Sequence, residues 1–215
     1  MPPGWALYEG GDEMTHAYFP TSGVVALLCE TENGDSAEIA LTGNEGVVGV
    51  TLFLGGESML GRAVVQSAGH AYRMPARLFR QEFEHAGEFQ VRLLRFTQAL
   101  MTQMAQTALC NRHHTIEQQL CRWLLLSLDR VKSNELLMTQ DLIATLLGVR
   151  REGLGAAAKH LQDAGLILYR RGRITVLERA GLERVACGCY LAVRQETDRL
   201  LALPASGRGD PSRDT

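Results

Sequence analysis

The stretch 139–177, TQDLIATLLGVRREGLGAAAKHLQDAGLILYRRGRITVL, constrains the fold most, because helical spacing gives way within it to short apolar runs around a tight turn. Leu142, Ile143, Leu146 and Leu147 fall on one helical face, with Thr139 placed to cap it, Asp141 in a first turn whose dipole favours an acid, and Gly148 to end it. Leu154, Ala157, Ala158 and Leu161 make a second buried stripe. Arg151, Glu152, Gly155, Ala156 and Lys159 face the other way, until Gly165 closes the helix as a C′ glycine. The runs 166–169 and 174–177 then read as hairpin strands around Arg170, Arg171, Gly172 and Arg173, with Gly172 free to take a positive φ.

A helix that enters a major groove needs such a mixed outer face. Arg can fork onto guanine O6 and N7, Glu can accept from cytosine N4, and small residues admit close approach. On this reading Arg151, Glu152 and Gly155 read bases, while Thr139, Gln140, Arg150, Lys159, Arg170, Arg171 and Arg173 hold phosphates. Gly153 and Gly155 each cost roughly 1 kcal/mol of helix propensity against Ala, so close approach to DNA or to the partner helix is the expected compensation. An ordinary helical hairpin with solvated charges is the alternative, and three cations on one hairpin tip weigh against it.

The run LGVRREGLGAAAKHLQDAGLI followed by RGRITV resembles the C-terminal DNA-binding domain of the Crp/Fnr family of bacterial transcription regulators, in which an Arg-Glu pair opens the recognition helix. Arg151 and Glu152 match that pair. Ala156 stands where the family often carries a further basic residue, and Arg150 where a Ser or Thr often caps the helix, so the family's operator is not carried over. The net charge of the chain is −2, yet between residues 139 and 178 six basic residues face four acidic ones, gathered on the outer face and the tip.

Ahead of this region, short apolar runs (WALY, HAYF, VVALLC, AEIAL, RAVVQ, AYRM) alternate with Gly-Gly, Asn-Gly and Pro-containing turns, which predicts an antiparallel barrel or sandwich. The segment YFPTSGVVALLCETENGDSAEIALTGNEGVVG is similar to the β-roll sensor of the same family. That resemblance implies an effector site at Gly49, Arg62 and Ala63. Nucleotide-binding members carry Glu after the glycine to accept from the ribose, and Val50 stands there instead, so a cyclic nucleotide is not the expected effector and no cofactor is expected. Arg62 is then either a residual anion site or a strand arginine, the second being favoured. Many members also open with a helix before the roll, whereas this chain reaches its first strand at once.

Pro75 is expected at the N1 position of a short helix ending at Glu84. In 88–111, Leu93, Phe96, Leu100, Met104 and Thr107 recur every three or four places, which predicts a dimer seam; a core helix packed on the roll is the alternative. Thr115 and Gln118 form a capping-box signature, which sets a hinge before Thr115. A final helix is expected over 181–203. The expected organisation is thus 1–86 β-roll sensor, 87–114 dimerisation helix, 115–203 winged helix-turn-helix and 204–215 disordered tail. The fold class is α+β, with an N-terminal antiparallel β-roll of jelly-roll type.

Cys110, His113 and His114 lie close in sequence, as do Cys187 and Cys189, but neither spacing fits the common zinc knuckles, so buried structural thiols are expected and no metal. No nucleophile elbow or Walker loop is present, and an enzyme is not expected. The N-terminus lacks a signal-peptide pattern and no apolar run reaches about 18 residues, which makes the expected location cytoplasmic. The resemblance implies double-stranded DNA, a second copy of the chain and RNA polymerase as partners, in a regulator switched through the β-roll. The alternative function is a small-molecule sensor whose helix-turn-helix serves protein interaction.

Overall fold

A computed structural model describes residues 1–202; the tail expected at 204–215 lies outside the described residues. The first six strands are β1 (Ala6–Tyr8), β2 (His16–Pro20), β3 (Val24–Glu30), β4 (Ser36–Thr42), β5 (Arg62–Ser67) and β6 (Ala71–Pro75), at the six predicted apolar runs. They form an antiparallel sheet of order β1-β5-β3-β4 and a ribbon of β2 with β6, joined through a bridge between Tyr18 and Val48. Strand β3 explains the unbroken VVALLC. Its Val25 and Leu27 face the interior of the roll, while Val24, Ala26 and Leu28 face a second core on the other side. A strand covered on both faces has no polar alternation to keep.

Helix α1 (Ala76–Glu84) follows β6 directly. Pro75, expected at N1, is instead the N-cap and the last strand residue, one place earlier, because it still pairs with His16 across the ribbon. Helix α2 (Glu88–His113) crosses the roll. Helix α3 (Ile116–Leu128) begins with the capping box read from the sequence: Gln118 N–H donates to Thr115 Oγ1 at 3.3 Å, and Thr115 N–H to Gln118 Oε1 at 3.1 Å.

From 119 to 128 every residue of α3 is buried. One side lies against Val24, Ala26, Leu28 and Leu41 of the roll's outer face, the other against the C-terminal elements, and all share one core. Those elements are β7 (Glu135–Leu137), α4 (Gln140–Leu147), α5 (Arg151–Asp163), β8 (Ile167–Arg170), β9 (Arg173–Val176), α6 (Arg179–Val185) and α7 (Gly188–Leu201).

Two expectations are corrected here. The hairpin is the outer part of a three-stranded sheet of order β7-β9-β8, since Leu136 pairs with Ile174. The single helix expected over 181–203 is two, because Ala186 and Cys187 are extended (ψ 148° and 163°) and turn α7 back along α2. Among the described residues no helix is long and apolar enough to cross a membrane.

Trp123, fully buried on α3, donates its indole N–H to Glu38 Oε2 of β4 at 3.1 Å. Burial raises the Glu38 carboxyl to about 7, against smaller opposing effects of the Trp123 hydrogen bond, Arg122 and Arg130. A carboxyl whose folded pKa is raised binds its proton more tightly in the native state. Its stabilising contribution is therefore complete below the unfolded value of 4.5 and is lost as pH rises through 7. The unfolding free energy of the wild type should consequently fall between pH 5 and pH 8 by about 2–3 kcal/mol more than that of Glu38→Gln. Urea unfolding at the two pH values measures this, and parallel pH profiles would refute it.

Candidate nucleic-acid interface

The cap of α4 is local and complete: Leu142 N–H donates to Thr139 Oγ1 at 3.2 Å, and Gly148 ends the helix in the left-handed region at φ 64°. Arg150 is the N-cap of α5 with extended backbone and no side-chain capping bond, which leaves its exposed guanidinium for other partners. Leu154, Ala157, Ala158 and Leu161 are buried as predicted, and Arg151, Glu152, Ala156 and Lys159 are exposed. Arg151 Nε lies 2.9 Å from Asp141 Oδ1 on α4. Both partners are solvated, so the pair contributes little stability and chiefly aims the guanidinium.

The two glycines of α5 divide the explanations offered for them. A Cβ at Gly153 would come within 2.6 Å of Ile116 Cδ1 on α3, so helix packing accounts for that position. At Gly155 the nearest atom to an added Cβ is Gln140 Oε1 at 3.7 Å, an ordinary contact. Packing does not account for Gly155.

The wing closes on Arg171 and Gly172, both at positive φ (49° and 73°), the signature of the hairpin turns that match strand twist. Arg170 and Arg173 are paired directly opposite each other across the strands. Like charges in that register repel, and Glu135 relieves only one of them, its carboxylate 2.5 Å from Arg173 Nη1. The tip is held against α4: Tyr169 O–H donates to the Met138 carbonyl at 3.0 Å, and a Cβ at Gly172 would lie 3.8 Å from Thr139 Cγ2.

Contacts on α4 bring these parts together: Arg151 pairs with Asp141, Gly155 lies beside Gln140 and the wing's Gly172 beside Thr139, while Arg150 flanks the same helix and Lys159 lies two turns further along α5. A cleft of about 600 Å³ separates Arg150 and Arg151 from the β3–β4 turn at Gly34, Asp35 and Ser36.

The expected effector residues do not assemble as an open anion site. Arg62 is paired with Glu9 and with Glu30, its Nη1 3.0 Å from Glu30 Oε1, and Ala63 is fully buried in the roll. Gly49, at φ 117°, caps the 3-10 turn Val50–Leu52.

The dimer seam is corrected. Leu93, Phe96, Leu100 and Thr107 are buried inside the chain, and Met104 packs half-buried beside them; the first three, with Met104, close the core of the roll. The same stripe includes Gln103, whose amide bonds both the N–H and the carbonyl of Leu41 at 3.2 and 3.0 Å. A second stripe, two positions earlier at each step, is exposed: Val91, Leu94, Gln98, Met101, Ala105 and Ala108. It repeats with the same 3-4 spacing. Val91, Leu94 and Met101 expose 45%, 47% and 64% of their surface. Choosing the more apolar stripe selected the intramolecular one.

Residues 1–86 match the family described as the cyclic nucleotide-binding domain, and residues 118–185 match the Crp-like helix-turn-helix domain. The chain belongs to the Crp/Fnr family of transcriptional regulators. Solved structures of the family share its fold. A CRP-family transcriptional regulator from Thermus thermophilus superposes with a TM-score of 0.72 at 19% identity, covering 86% of this chain and 95% of that one. FixK2 from Bradyrhizobium japonicum gives 0.73 at 15% identity, covering 86% and 94%. The c-di-GMP responsive regulator CLP from Xanthomonas campestris gives 0.66 at 17%, covering 82% and 91%. No curated protein matches the chain.

Because Gly155 has room for a methyl group, Gly155→Ala should stabilise the fold by up to about 1 kcal/mol through helix propensity. Gly153→Ala must displace Ile116 and should gain less or lose. Urea midpoints of the two variants decide this; equal gains would remove the packing role of Gly153.

Proposed function

We propose that the chain is a homodimeric, sequence-specific regulator that binds double-stranded DNA with the start of α5 in the major groove and the β8–β9 wing on phosphates. The observation that carries this reading is that α4 joins the two ends that duplex recognition needs, the mixed polar start of α5 and a wing with three arginines of which Glu135 pairs one. Arg151 and Glu152 read base edges, and Gly155 admits the backbone to the groove wall. Thr139, Gln140, Arg150, Lys159, Arg170, Arg171 and Arg173 hold phosphates. A polyanion relieves the repulsion between Arg170 and Arg173, so the wing is worth more bound than free.

Two such surfaces reach successive grooves of a palindrome only in a two-fold assembly, about 34 Å apart. The exposed stripe on α2 supplies the interface, as a parallel pair of helices meeting at Val91, Leu94, Gln98, Met101, Ala105 and Ala108. The β-roll acts as the sensor. Val50 in place of a ribose-binding Glu, and Arg62 already paired with two carboxylates, argue for an effector other than a cyclic nucleotide. The effector acts by moving the C-terminal unit relative to α2 at Thr115, which also opens or closes the cleft between the β3–β4 turn and Arg150. Contact with RNA polymerase follows from the family's role and has no residue assigned to it.

Selection of bound duplexes from a random pool, with and without cyclic AMP, tests the reading. Enrichment of a palindrome by the protein alone is expected; enrichment only with cyclic AMP would restore Arg62 as a phosphate ligand, and none under either condition would favour the protein-interaction alternative. On the enriched duplex, Arg151→Ala should cost roughly 1–3 kcal/mol and relax specificity, while Arg171→Ala should weaken all sequences alike and flatten the salt dependence. The exposed pair Leu94→Glu with Met101→Glu should leave the fold intact and give a monomer in sedimentation analysis. A dimer that survives both charges would place the interface elsewhere.

A further inference from the structure

Four side chains whose sequence spacing fits no common zinc knuckle meet in space. Cys110 lies in the last turn of α2 and His114 is its C-cap; Cys187 is the N-cap of α7 and Cys189 lies in its first turn. Their donor atoms, three sulfurs and a ring nitrogen, all lie within 4.8 Å of one another. Cys110 Sγ is 3.5 Å from Cys187 Sγ, and Cys189 Sγ is 3.6 Å from His114 Nδ1. A tetrahedral zinc ion with sulfurs at about 2.3 Å requires donors about 3.8 Å apart along each edge. The four groups need only small adjustments to meet that requirement, whereas His113, exposed on the far side, is not among them.

The surroundings also suit an ion. The three cysteines are buried as a cluster of their own, separate from the two main cores. Arg122 is 4% exposed, donates from Nη1 to Thr107 Oγ1 at 3.1 Å, and has a buried Nε without a partner. Its charge acts on Cys110 and Cys189. Three thiolates, a neutral imidazole and a divalent cation sum to one negative charge, which a buried arginine cancels. Without an ion, this pocket gathers three polarisable thiols and an unpaired guanidinium N–H with no packing reason to do so.

We propose that Cys110, His114, Cys187 and Cys189 bind one zinc ion, which fastens the end of α2 to the start of α7. The soft donor set selects zinc over harder divalent ions, and four donors so close enclose a single ion, not a multi-iron cluster. No position is left open for water, so the site is structural and not hydrolytic. His114 is the last residue before the α3 cap, which puts the fastening at the segment on which the C-terminal unit turns.

The reduced full-length protein, stripped of metal and titrated with cobalt(II), tests the site independently of DNA binding. One cobalt per chain is expected, with thiolate charge-transfer absorption and the intense visible bands of tetrahedral coordination, displaced by zinc. Cys187→Ser and Cys189→Ser should weaken binding by more than about a hundredfold, since even supporting residues around metal sites cost 10–100-fold. Cys29→Ser and Cys121→Ser should keep full stoichiometry. Should either ligand variant lose its circular dichroism, His114→Ala, at a half-exposed position, is the deciding substitution. Zinc should also slow amide exchange at 110–114 and 187–191. The proposal is overturned if the reduced wild type takes up no metal, if binding survives in the ligand variants, or if the loss of two thiols to a Cys110–Cys187 disulfide accounts for all the chemistry of the cluster.

Discussion

Burial of α3 on every side is the constraint on which the rest depends. A helix with ten successive buried residues has no solvent face, so its polar groups depend on partners within the protein, and only Gln119 Oε1 and Arg122 Nε among its buried side-chain atoms have none. Ser127 is met by the Gln66 amide of the roll at 3.0 Å, Gln119 by the His114 carbonyl at 3.0 Å, and Trp123 by Glu38. These bonds cross between the β-roll, α2 and the C-terminal unit. The two halves of the molecule are therefore not beads on a linker: the sheet face of one and the helix-turn-helix of the other are completed by the same helix. Arg130, held by Glu45 at 2.6 Å at the far end of α3, extends the contact to the loop after β4.

On the proposed reading, that arrangement lets a signal in the roll reach α5 without a long lever. Helix α5 packs on α3, and α3 packs on β3 and β4. A shift of the roll's outer face is felt one layer from the recognition surface. The cost is that any rearrangement must carry the buried groups of α3 with it or leave them unpaired, which penalises intermediate positions and favours two discrete ones. Glu38 sits at this contact with its carboxyl raised to about 7, so the interface carries one group whose charge changes near neutrality.

What could be read from the sequence was what local chemistry decides. The caps at Thr115 and Thr139, the glycine at 148, the outward face of α5 and the six strands of the roll each depend on residues within a few places of one another. Three features depend on distant residues, and no local pattern carries them. Strand β7 has three residues and exists because Leu136 meets Ile174, which no local pattern announces. On α2 two heptad stripes run in parallel, and hydrophobicity alone ranks the inner one first; deciding between them requires knowing that the roll covers Leu93, Phe96 and Leu100. The break at Ala186 and Cys187 interrupts a stretch with helical composition and sets Cys187 and Cys189 against the end of α2.

The last of these shows why motif spacing failed for the thiols. Zinc knuckles are recognisable in sequence because each half-site closes on itself, so its two ligands keep a fixed short separation. Here one half-site is a helix C-terminus and the other a helix N-terminus, and Cys110 and Cys187 are 77 residues apart. The spacing within each half is then set by helix geometry: Cys110 and His114 are one turn apart on α2, and Cys187 and Cys189 straddle the start of α7. A helix end also supplies what a thiolate needs, since the free N–H groups at the start of α7 point toward Cys187. The Cys187 thiol is held below its ordinary range, chiefly by the hydrogen bond from Cys110, whose own proton is correspondingly retained. The two helix ends meet in this pocket because α7 lies along α2, so the position of the C-terminal unit and the geometry of the cluster are tied together.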